Sequence, residues 1–325
     1  MKNHRIDIVK GILILLVILG HIIQGSFTES LPRFIIYGFH MPLFMALSGY
    51  LFSNHFNKIP TQEWIKKSYS RAVLPWLLAM IIFTVFLRQV GFYNLPWASL
   101  IIEVLIKPFY HLWFIPAWLT YQAVLRLAQK YHLPHHTLLN ASIPLSVFCI
   151  WLEISGQPYL QTSNFSPFQE ILNLLRPQFF AFYTLGYTWR NHKNTNLISL
   201  LTPLKQSNHT LIAALLFVGL FHFRNSFPQL VFTNSSLYLI LFCYLNLSLV
   251  SFVFTWMEAD NQSNIPWLEW LGVQSLLIYL WHPLGILFAR YFISYRPSPE
   301  FYFSTISSTF SIIILIYLYD RFRNA

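Results

Sequence analysis

Charged residues are scarce in this sequence. Asp, Glu, Lys and Arg make up 10% of its 325 residues, whereas a typical soluble domain carries about 25%. A soluble fold cannot cover its surface with so few charges, and the same composition excludes intrinsic disorder, a coiled coil and collagen. Hydrophobic residues make up 55% of the chain and aromatic residues 18%. This composition predicts an all-α, polytopic integral membrane protein whose main solvent is the lipid bilayer.

Cysteine and acidic residues are also few. The two cysteines, Cys149 and Cys243, lie inside apolar runs and outside any C-x-x-C or His-rich spacing. Neither a disulfide framework nor a metal site is therefore expected. Eleven acidic residues face 21 Lys and Arg, which gives a net charge of +10. The basic residues lie mainly in short connections between apolar segments, so they follow the positive-inside pattern and no nucleic-acid partner is expected.

Apolar segments long enough to cross a bilayer recur along the whole chain. A transmembrane helix needs about 20 mostly apolar residues. Ten segments qualify, at approximately 7–25, 34–53, 72–89, 111–128, 137–154, 174–190, 208–224, 236–257, 267–290 and 301–319. We therefore expect residues 1–325 to form a single transmembrane domain of about ten helices. The first segment has no A-x-A cleavage site, which predicts a retained helix and not a signal peptide.

The distribution of Lys and Arg predicts the orientation. If the N-terminus lies in the cytoplasm, the inner connections hold twice as many Lys and Arg as the outer ones. Both termini are then cytoplasmic, as ten spans require. The expected location is a bacterial inner (plasma) membrane.

The first segment carries ionisable side chains, which are costly in lipid and therefore indicate function. Lys10 and His21 are eleven residues apart, which is three full turns of an α-helix plus roughly 20°. Both side chains therefore lie on one face of the helix, separated by roughly 16 Å along its axis. Asp7 precedes Lys10 by three residues and can pair with it. A snorkelling lysine and a packed histidine are the structural alternatives.

Four further histidines fall in the outer half of the predicted bilayer. They are His40, His111, His222 and His282. His40 lies at the depth of His21 on the next, antiparallel helix, so the two can face each other. A polar pocket that opens outward explains this pattern, and so does a chance set of interfacial histidines. Arg176, before Pro177 at the outer end of the sixth segment, is either an anion or hydroxyl anchor or an ordinary interfacial arginine.

The predicted inner side carries a cluster of basic residues in one connection. Its members are Lys58, Lys66, Lys67 and Arg71. Such a cluster marks orientation, and it also suits the phosphates of a cytosolic donor.

Four blocks of sequence stand in order along the chain. They are Asp7-x-x-Lys10 followed by a run to Gly20-His21, then Phe39-His40-Met41-Pro42-Leu43-Phe44 with Ser48-Gly49-Tyr50, then His111-Leu112-Trp113-Phe114-Ile115-Pro116-Ala117, and last Leu271-Gly272-x-x-Ser275 to Trp281-His282-Pro283. Together they resemble the acyltransferase-3 family of membrane O-acyltransferases, and more narrowly its fucose 4-O-acetylase-like branch. The first block corresponds to the family's basic-x10-His signature, in which many relatives carry Arg where this chain has Lys10.

The resemblance implies a ten-helix enzyme that holds no bound cofactor and uses acyl-CoA, usually acetyl-CoA, as a cytosolic co-substrate. The acyl group passes to a hydroxyl of a sugar or a cell-envelope glycan, often on the far side of the membrane. Polysaccharide O-acetylation is the expected type of activity.

Acyl transfer from a thioester needs a base and a donor to the developing oxyanion, and a neutral histidine is a suitable base. We expect His21 to be the base and His40 its partner or the oxyanion donor, with a covalent acyl-histidine as an open alternative. Lys10 and Arg71 are expected to contact CoA phosphates. The expected substrate-binding residues are His111, Trp113, Arg176 and His282.

Two other functions fit an intramembrane set of ionisable residues. Proton-coupled transport or export of a glycan or small solute is the first, although the sequence has no inverted repeat and no paired broken helices. A scaffold subunit of an envelope-assembly complex is the second.

Overall fold

The computed structural model describes residues 3–26, 29–52, 59–155, 166–191, 199, 201–226, 235–259, 264–293 and 297–323. Over these ranges the chain forms helices and no strand, which confirms the all-α prediction. In chain order the α-helices are α1 His4–Ile22, α2 Leu31–Leu51, α3 Thr61–Ser68, α4 Leu74–Gln89, α5 Trp97–Ile106, α6 Phe114–Lys130, α7 His135–Ser155, α8 Ser166–Leu175, α9 Phe180–Asn191, α10 Ser207–Ser226, α11 Ser235–Glu258, α12 Pro266–Val273, α13 Ser275–Trp281, α14 Pro283–Phe288 and α15 Pro299–Arg323.

Short segments of other helix types join several of these elements. A π-helical turn, Tyr69–Val73, connects α3 to α4, and a second, Ala289–Ile293, follows α14. Three-residue 3₁₀ helices precede α9 and α10 at Pro177–Phe179 and Pro203–Lys205. Both of these begin at a proline, which has no N–H to donate and is therefore tolerated at a helix start.

The ten predicted segments are mainly helical where the structure describes them, but helical structure is interrupted at Arg176 in the sixth and at Gln274 and His282 in the ninth. Not all ten segments reach the length and polarity of a membrane span. Among the described residues, five helical stretches are long and apolar enough to cross a membrane: Leu31–Leu51, Thr61–Gln89, Ser236–Glu258, Ser275–Ile293 and Pro299–Arg323. The helices Trp97–Ile106 and Ser207–Phe223 are apolar but shorter. These findings indicate an integral membrane protein.

The described chain falls into two compact units, each built from separate stretches of sequence. The first comprises Met1–Tyr37, Ser70–Val104 and Asp260–Ala325, and the second comprises Gly38–Tyr69 and Leu105–Ala259. That residues 1–325 form one transmembrane domain stays a prediction.

In the first unit, α1 packs directly on α12 because glycine lines both sides of the crossing. A Cβ atom added at Gly11 would collide with the carbonyl oxygen of Leu268, and one added at Gly272 would collide with the carbonyl oxygen of Asp7. Small residues allow this close backbone approach between helices in membranes. The His4 imidazole, 2.5 Å from a carboxylate oxygen of Glu269, fixes the start of the same crossing.

In the second unit, α2 and α9 approach through a second pair of glycines. A Cβ atom at Gly49 would collide with the carbonyl oxygen of Tyr183, and one at Gly186 would collide with that of Ala46. The two glycines therefore bring the backbones of these helices into contact, as Gly11 and Gly272 do in the first unit.

Candidate functional site

The first unit brings two of the predicted site residues into direct contact. Nδ1 of His21 lies 2.8 Å from Nε2 of His282, which is hydrogen-bonding distance. The two imidazole rings are nearly parallel, with an interplanar angle of 18° and 5.0 Å between their centroids. The His282 side chain is fully buried, and His21 is partly buried. The two histidines are 261 positions apart in the chain, so only the tertiary fold joins them.

Each histidine lies where a helix ends. His21 belongs to the last turn of α1, and His282 lies between α13 and α14, where Pro283 cannot supply a backbone N–H. The ring of His282 turns back along its own helix, and its Nδ1 lies 2.9 Å from the carbonyl oxygen of Ile278.

Polar side chains fix the backbone that leaves His21. The Gln24 amide donates to the carbonyl oxygens of His21 at 3.3 Å and of Ile22 at 3.1 Å. The guanidinium of Arg290 donates to Oε1 of Gln24 at 2.8 Å. Arg290 stands in the π-helical turn Ala289–Ile293, a type of distortion that often occurs at functional sites. Sequence reasoning had given no role to Gln24 or Arg290.

The loop after α1 is closed by polar contacts as well. Both the backbone N–H and the hydroxyl of Ser26 donate to a carboxylate oxygen of Glu29, at 3.2 and 2.7 Å. These hydrogen bonds hold the pKa of Glu29 below its usual value, because they stabilise the ionised carboxylate. The guanidinium of Arg33 donates to the carbonyl oxygens of Ile23 at 3.1 Å and Gly25 at 3.0 Å.

The two predicted donor-binding residues both belong to the first unit. Lys10 lies on the same continuous helix as His21, and its ammonium is 3.4 Å from a carboxylate oxygen of Asp7, so the predicted pair is confirmed. Arg71 is exposed in the π-helical turn Tyr69–Val73. Lys67, from the same predicted cluster, is paired with Glu63 at 2.6 Å, and Lys58 lies outside the described residues.

The second unit contains the other predicted site residues, and two of them are in contact. The guanidinium carbon of Arg176 lies 5.4 Å from the centre of the Trp113 ring, which also stacks on Phe179 at 5.8 Å. Arg176 has a φ of 46°, a conformation that is uncommon for residues other than glycine. The hydroxyl of Tyr121 donates to the carbonyl oxygens of Leu175 and Arg176 and so supports this backbone.

The remaining histidines of the predicted outer pocket differ in burial. The side chains of His40 and His111 are both 2% exposed, on α2 and just before α6. The side chain of His222 on α10 is exposed, so it is not a member of a closed pocket in the second unit. The predicted pairing of His40 with His21 stays a prediction.

A cleft of about 1010 Å³ in the second unit was not foreseen from the sequence. Arg126 and Lys130 line it, four residues apart on α6. Arg126 donates to the carbonyl oxygen of Ile59 at 2.8 Å and lies 5.2 Å from the Trp64 ring. The i, i+4 spacing of the two cations near the end of a helix is the sequence feature from which a basic face could have been predicted.

In the part of the chain that the structure describes, no three His, Cys, Asp or Glu side chains lie close enough together to hold a metal ion.

The described residues form an all-helical membrane protein in which two histidines, one of them fully buried, are in direct contact. Residues 3–318 match the sequence model of the acyltransferase-3 family, described as an acyltransferase domain, and the chain belongs to that family.

Two curated relatives share shorter stretches with this chain. Nodulation protein NolL of Sinorhizobium fredii is 35% identical over 117 residues, which cover 34% of this chain and 27% of that protein. Nodulation protein NolL of Mesorhizobium japonicum is 37% identical over 83 residues, which cover 23% of this chain and 22% of that protein. The chain thus matches about a quarter of the length of each relative. No solved structure matches it.

Proposed function

We propose that this protein is a membrane O-acyltransferase that moves an acyl group, by default acetyl, from acyl-CoA to a hydroxyl of a sugar or cell-envelope glycan. The observation that carries the proposal is the family match over residues 3–318, in a chain whose signature histidine, His21, is held by a second histidine. The fucose 4-O-acetylase-like branch and polysaccharide as the acceptor class are parts of this proposal.

His21 is the proposed general base. Its imidazole takes the proton from the acceptor hydroxyl while that oxygen attacks the carbonyl carbon of the thioester. The carbon–sulfur bond then breaks, and the CoA thiolate leaves with the proton that the imidazolium returns. His40 is the proposed donor to the oxyanion on the carbonyl oxygen. A covalent acyl-histidine, in which the His21 nitrogen itself attacks the thioester, is the alternative order of events.

The proposed donor contacts use the basic residues of the first unit. Lys10 and the exposed guanidinium of Arg71 would bind the phosphates of CoA. The carboxylate of Asp7, 3.4 Å from the Lys10 ammonium, holds that side chain in place but also competes with an incoming phosphate. A donor with several negative charges, such as CoA, competes better with this carboxylate for Lys10 than a singly charged one.

The proposed acceptor contacts use the second unit. The Trp113 ring with Arg176 beside it offers an apolar face and a cationic donor of hydrogen bonds, which together suit the faces and hydroxyls of a sugar ring. His111 and, in the first unit, His282 complete the set of proposed substrate-binding residues.

The proposed topology has ten spans, both termini in the cytoplasm and the bacterial inner membrane as location. It rests on the mainly helical state of the described parts of the ten predicted segments and on the excess of Lys and Arg in the predicted inner connections. In this topology Lys10 lies at the cytoplasmic end of α1, and His21 lies roughly 16 Å further along the same helix.

Release of CoA tests the function. Purified wild type, His21→Ala and, as a matched control, His222→Ala would be incubated with acetyl-CoA, with and without an envelope glycan extract. Free thiol should appear only with the extract, in the wild type and the control but not in His21→Ala. A well-folded wild type that releases no thiol with several acyl-CoAs and extracts would contradict the proposal, and flux of solute into liposomes without a donor would then favour a transporter.

A further inference from the structure

We propose that His282 is a positioning residue that fixes the tautomer of His21, so that Nδ1 of His21 carries the proton and Nε2 is the basic nitrogen. The catalytic consequence rests on the proposed function, but the tautomer itself does not. The inference follows from two short contacts and the burial of one ring.

The first contact determines the donor nitrogen of His282. Its Nδ1 lies 2.9 Å from the carbonyl oxygen of Ile278. A carbonyl oxygen can only accept a hydrogen bond, so the proton in this contact belongs to Nδ1 of His282.

Burial determines whether the other ring nitrogen of His282, Nε2, carries a proton. The side chain is fully buried, and an imidazolium in such a position would lose its hydration without a matching gain. His282 is therefore neutral and carries one proton, on Nδ1. Its Nε2 can then only accept a hydrogen bond.

The second contact transfers this constraint to His21. Nδ1 of His21 lies 2.8 Å from Nε2 of His282, and because the latter is an acceptor, Nδ1 of His21 is the donor. In neutral His21 the lone pair is then on Nε2, on the side of the ring away from His282. Nδ1–H of His21 therefore donates to Nε2 of His282, and Nδ1–H of His282 donates to the carbonyl oxygen of Ile278. This series of hydrogen bonds leaves Nε2 of His21 as the basic nitrogen.

This arrangement does for His21 what a carboxylate does in a hydrolase triad. There the third residue accepts from Nδ1–H of the histidine and keeps its Nε2 available as base. Here a neutral imidazole accepts in place of the carboxylate. When Nε2 of His21 takes a proton from the acceptor hydroxyl, the Nδ1–H becomes a stronger donor to His282, so the same contact stabilises the imidazolium.

Two variants of His282 separate this role from simple packing. In His282→Gln, the amide oxygen can stand where Nε2 stands and accept from His21, whereas His282→Leu fills the space with no acceptor. We expect kcat to fall about 100-fold in His282→Leu with an unchanged KM for acetyl-CoA, and to stay within about 10-fold of the wild type in His282→Gln. A merely structural role predicts the reverse order, because leucine suits a buried site better than glutamine.

The tautomer can also be read without activity. Nitrogen-15 NMR of histidine-labelled protein in detergent distinguishes protonated from unprotonated ring nitrogens, and the His21 signals are those that disappear in His21→Gln. The expected result is a proton on Nδ1 of His21 in the wild type, and its loss from that nitrogen in His282→Leu. A proton on Nε2 in the neutral wild type would overturn the inference.

The two proposals fail in different ways. If His21→Gln released CoA as fast as the wild type, the base role would be wrong, and the NMR result would still decide the tautomer. If His21→Gln were inactive while His282→Leu exceeded His282→Gln in kcat, the acyltransferase proposal would stand and the positioning role would be wrong.

Discussion

The carbonyl oxygen of Gly38 accepts a hydrogen bond from the side-chain amide of Asn246 at 2.8 Å. In a regular helix this oxygen would accept from the residue four positions later, but that residue is Pro42, which has no N–H. Asn246 is fully buried and also donates to the carbonyl oxygen of Phe242 at 2.8 Å. One side chain on α11 therefore supplies the donor that a proline removed from α2.

Asn246→Leu should destabilise the protein, because it leaves the Gly38 carbonyl buried without this donor. The expected loss is about 1–3 kcal/mol in the free energy of unfolding. Thermal unfolding in detergent measures it. Pro42→Ala in the Asn246→Leu background restores an N–H at position 42 and should recover part of the loss. No recovery in the double variant would contradict this explanation.

The hydrogen bond of the Gly38 carbonyl oxygen illustrates which parts of the structure could be predicted from the sequence. Local rules were enough for the all-helical class and for the Asp7–Lys10 pair at i, i+3, and the missing N–H of Pro42 follows from its residue type alone. Local rules could not name the partner Asn246, because it lies 208 positions away.

The candidate site was predicted residue by residue but not as an arrangement. His21 and His282 were both expected to be functional, yet their contact depends on how α1 packs against α12 and α13, which periodicity does not encode. A non-helical backbone at Arg176 could be predicted, because a residue before proline is restricted from the α region. Neither the left-handed backbone of Arg176 nor its support by Tyr121 follows from that rule.

Gly11→Ala and Gly272→Ala should each lower stability and activity. Their methyl groups collide with the carbonyl oxygens of Leu268 and Asp7, so α1 must move away from α12. Overpacking of this kind costs about 1–3 kcal/mol. Gly219→Ala is the matched control, because no neighbouring atom lies within 4 Å of its new Cβ. The melting temperatures of the three variants are compared with that of the wild type. Equal melting temperatures for all three variants would contradict the close crossing of α1 and α12.

Lys10→Gln should raise the KM for acetyl-CoA with little change in kcat. A hydrogen bond to a charged phosphate contributes about 1.5–3 kcal/mol, which corresponds to a change of roughly 10- to 100-fold. Lys10→Arg keeps the positive charge, so its KM for acetyl-CoA should remain close to that of the wild type. Initial rates of thiol release over a range of acetyl-CoA concentrations measure both.

The basic cleft of the second unit provides the contrasting test. Lys130→Gln should leave the KM for acetyl-CoA unchanged if Lys10 and Arg71 bind the donor. A large rise in KM in Lys130→Gln, together with none in Lys10→Gln, would move the donor site to the cleft lined by Arg126 and Lys130.

Trp113→Ala should raise the KM for the glycan acceptor, because it removes the aromatic face beside Arg176. An energetically significant stacking or cation–π contact contributes about 0.5–2 kcal/mol, so the expected rise in KM is about 2- to 30-fold. Trp113→Phe retains an aromatic ring, so its KM for the glycan acceptor should lie between those of Trp113→Ala and the wild type. An unchanged acceptor KM in Trp113→Ala would exclude this face as the sugar contact.

The proposed reaction is a His21-dependent transfer that joins an acyl group to a glycan hydroxyl. Mass spectrometry of the glycan extract after incubation with isotopically labelled acetyl-CoA measures this directly. We expect a labelled, base-labile acetyl ester on one glycan species with the wild type and His222→Ala, and no label with His21→Ala. Label of equal amount with a folded His21→Ala, or thiol release that leaves every glycan unlabelled, would contradict the claim.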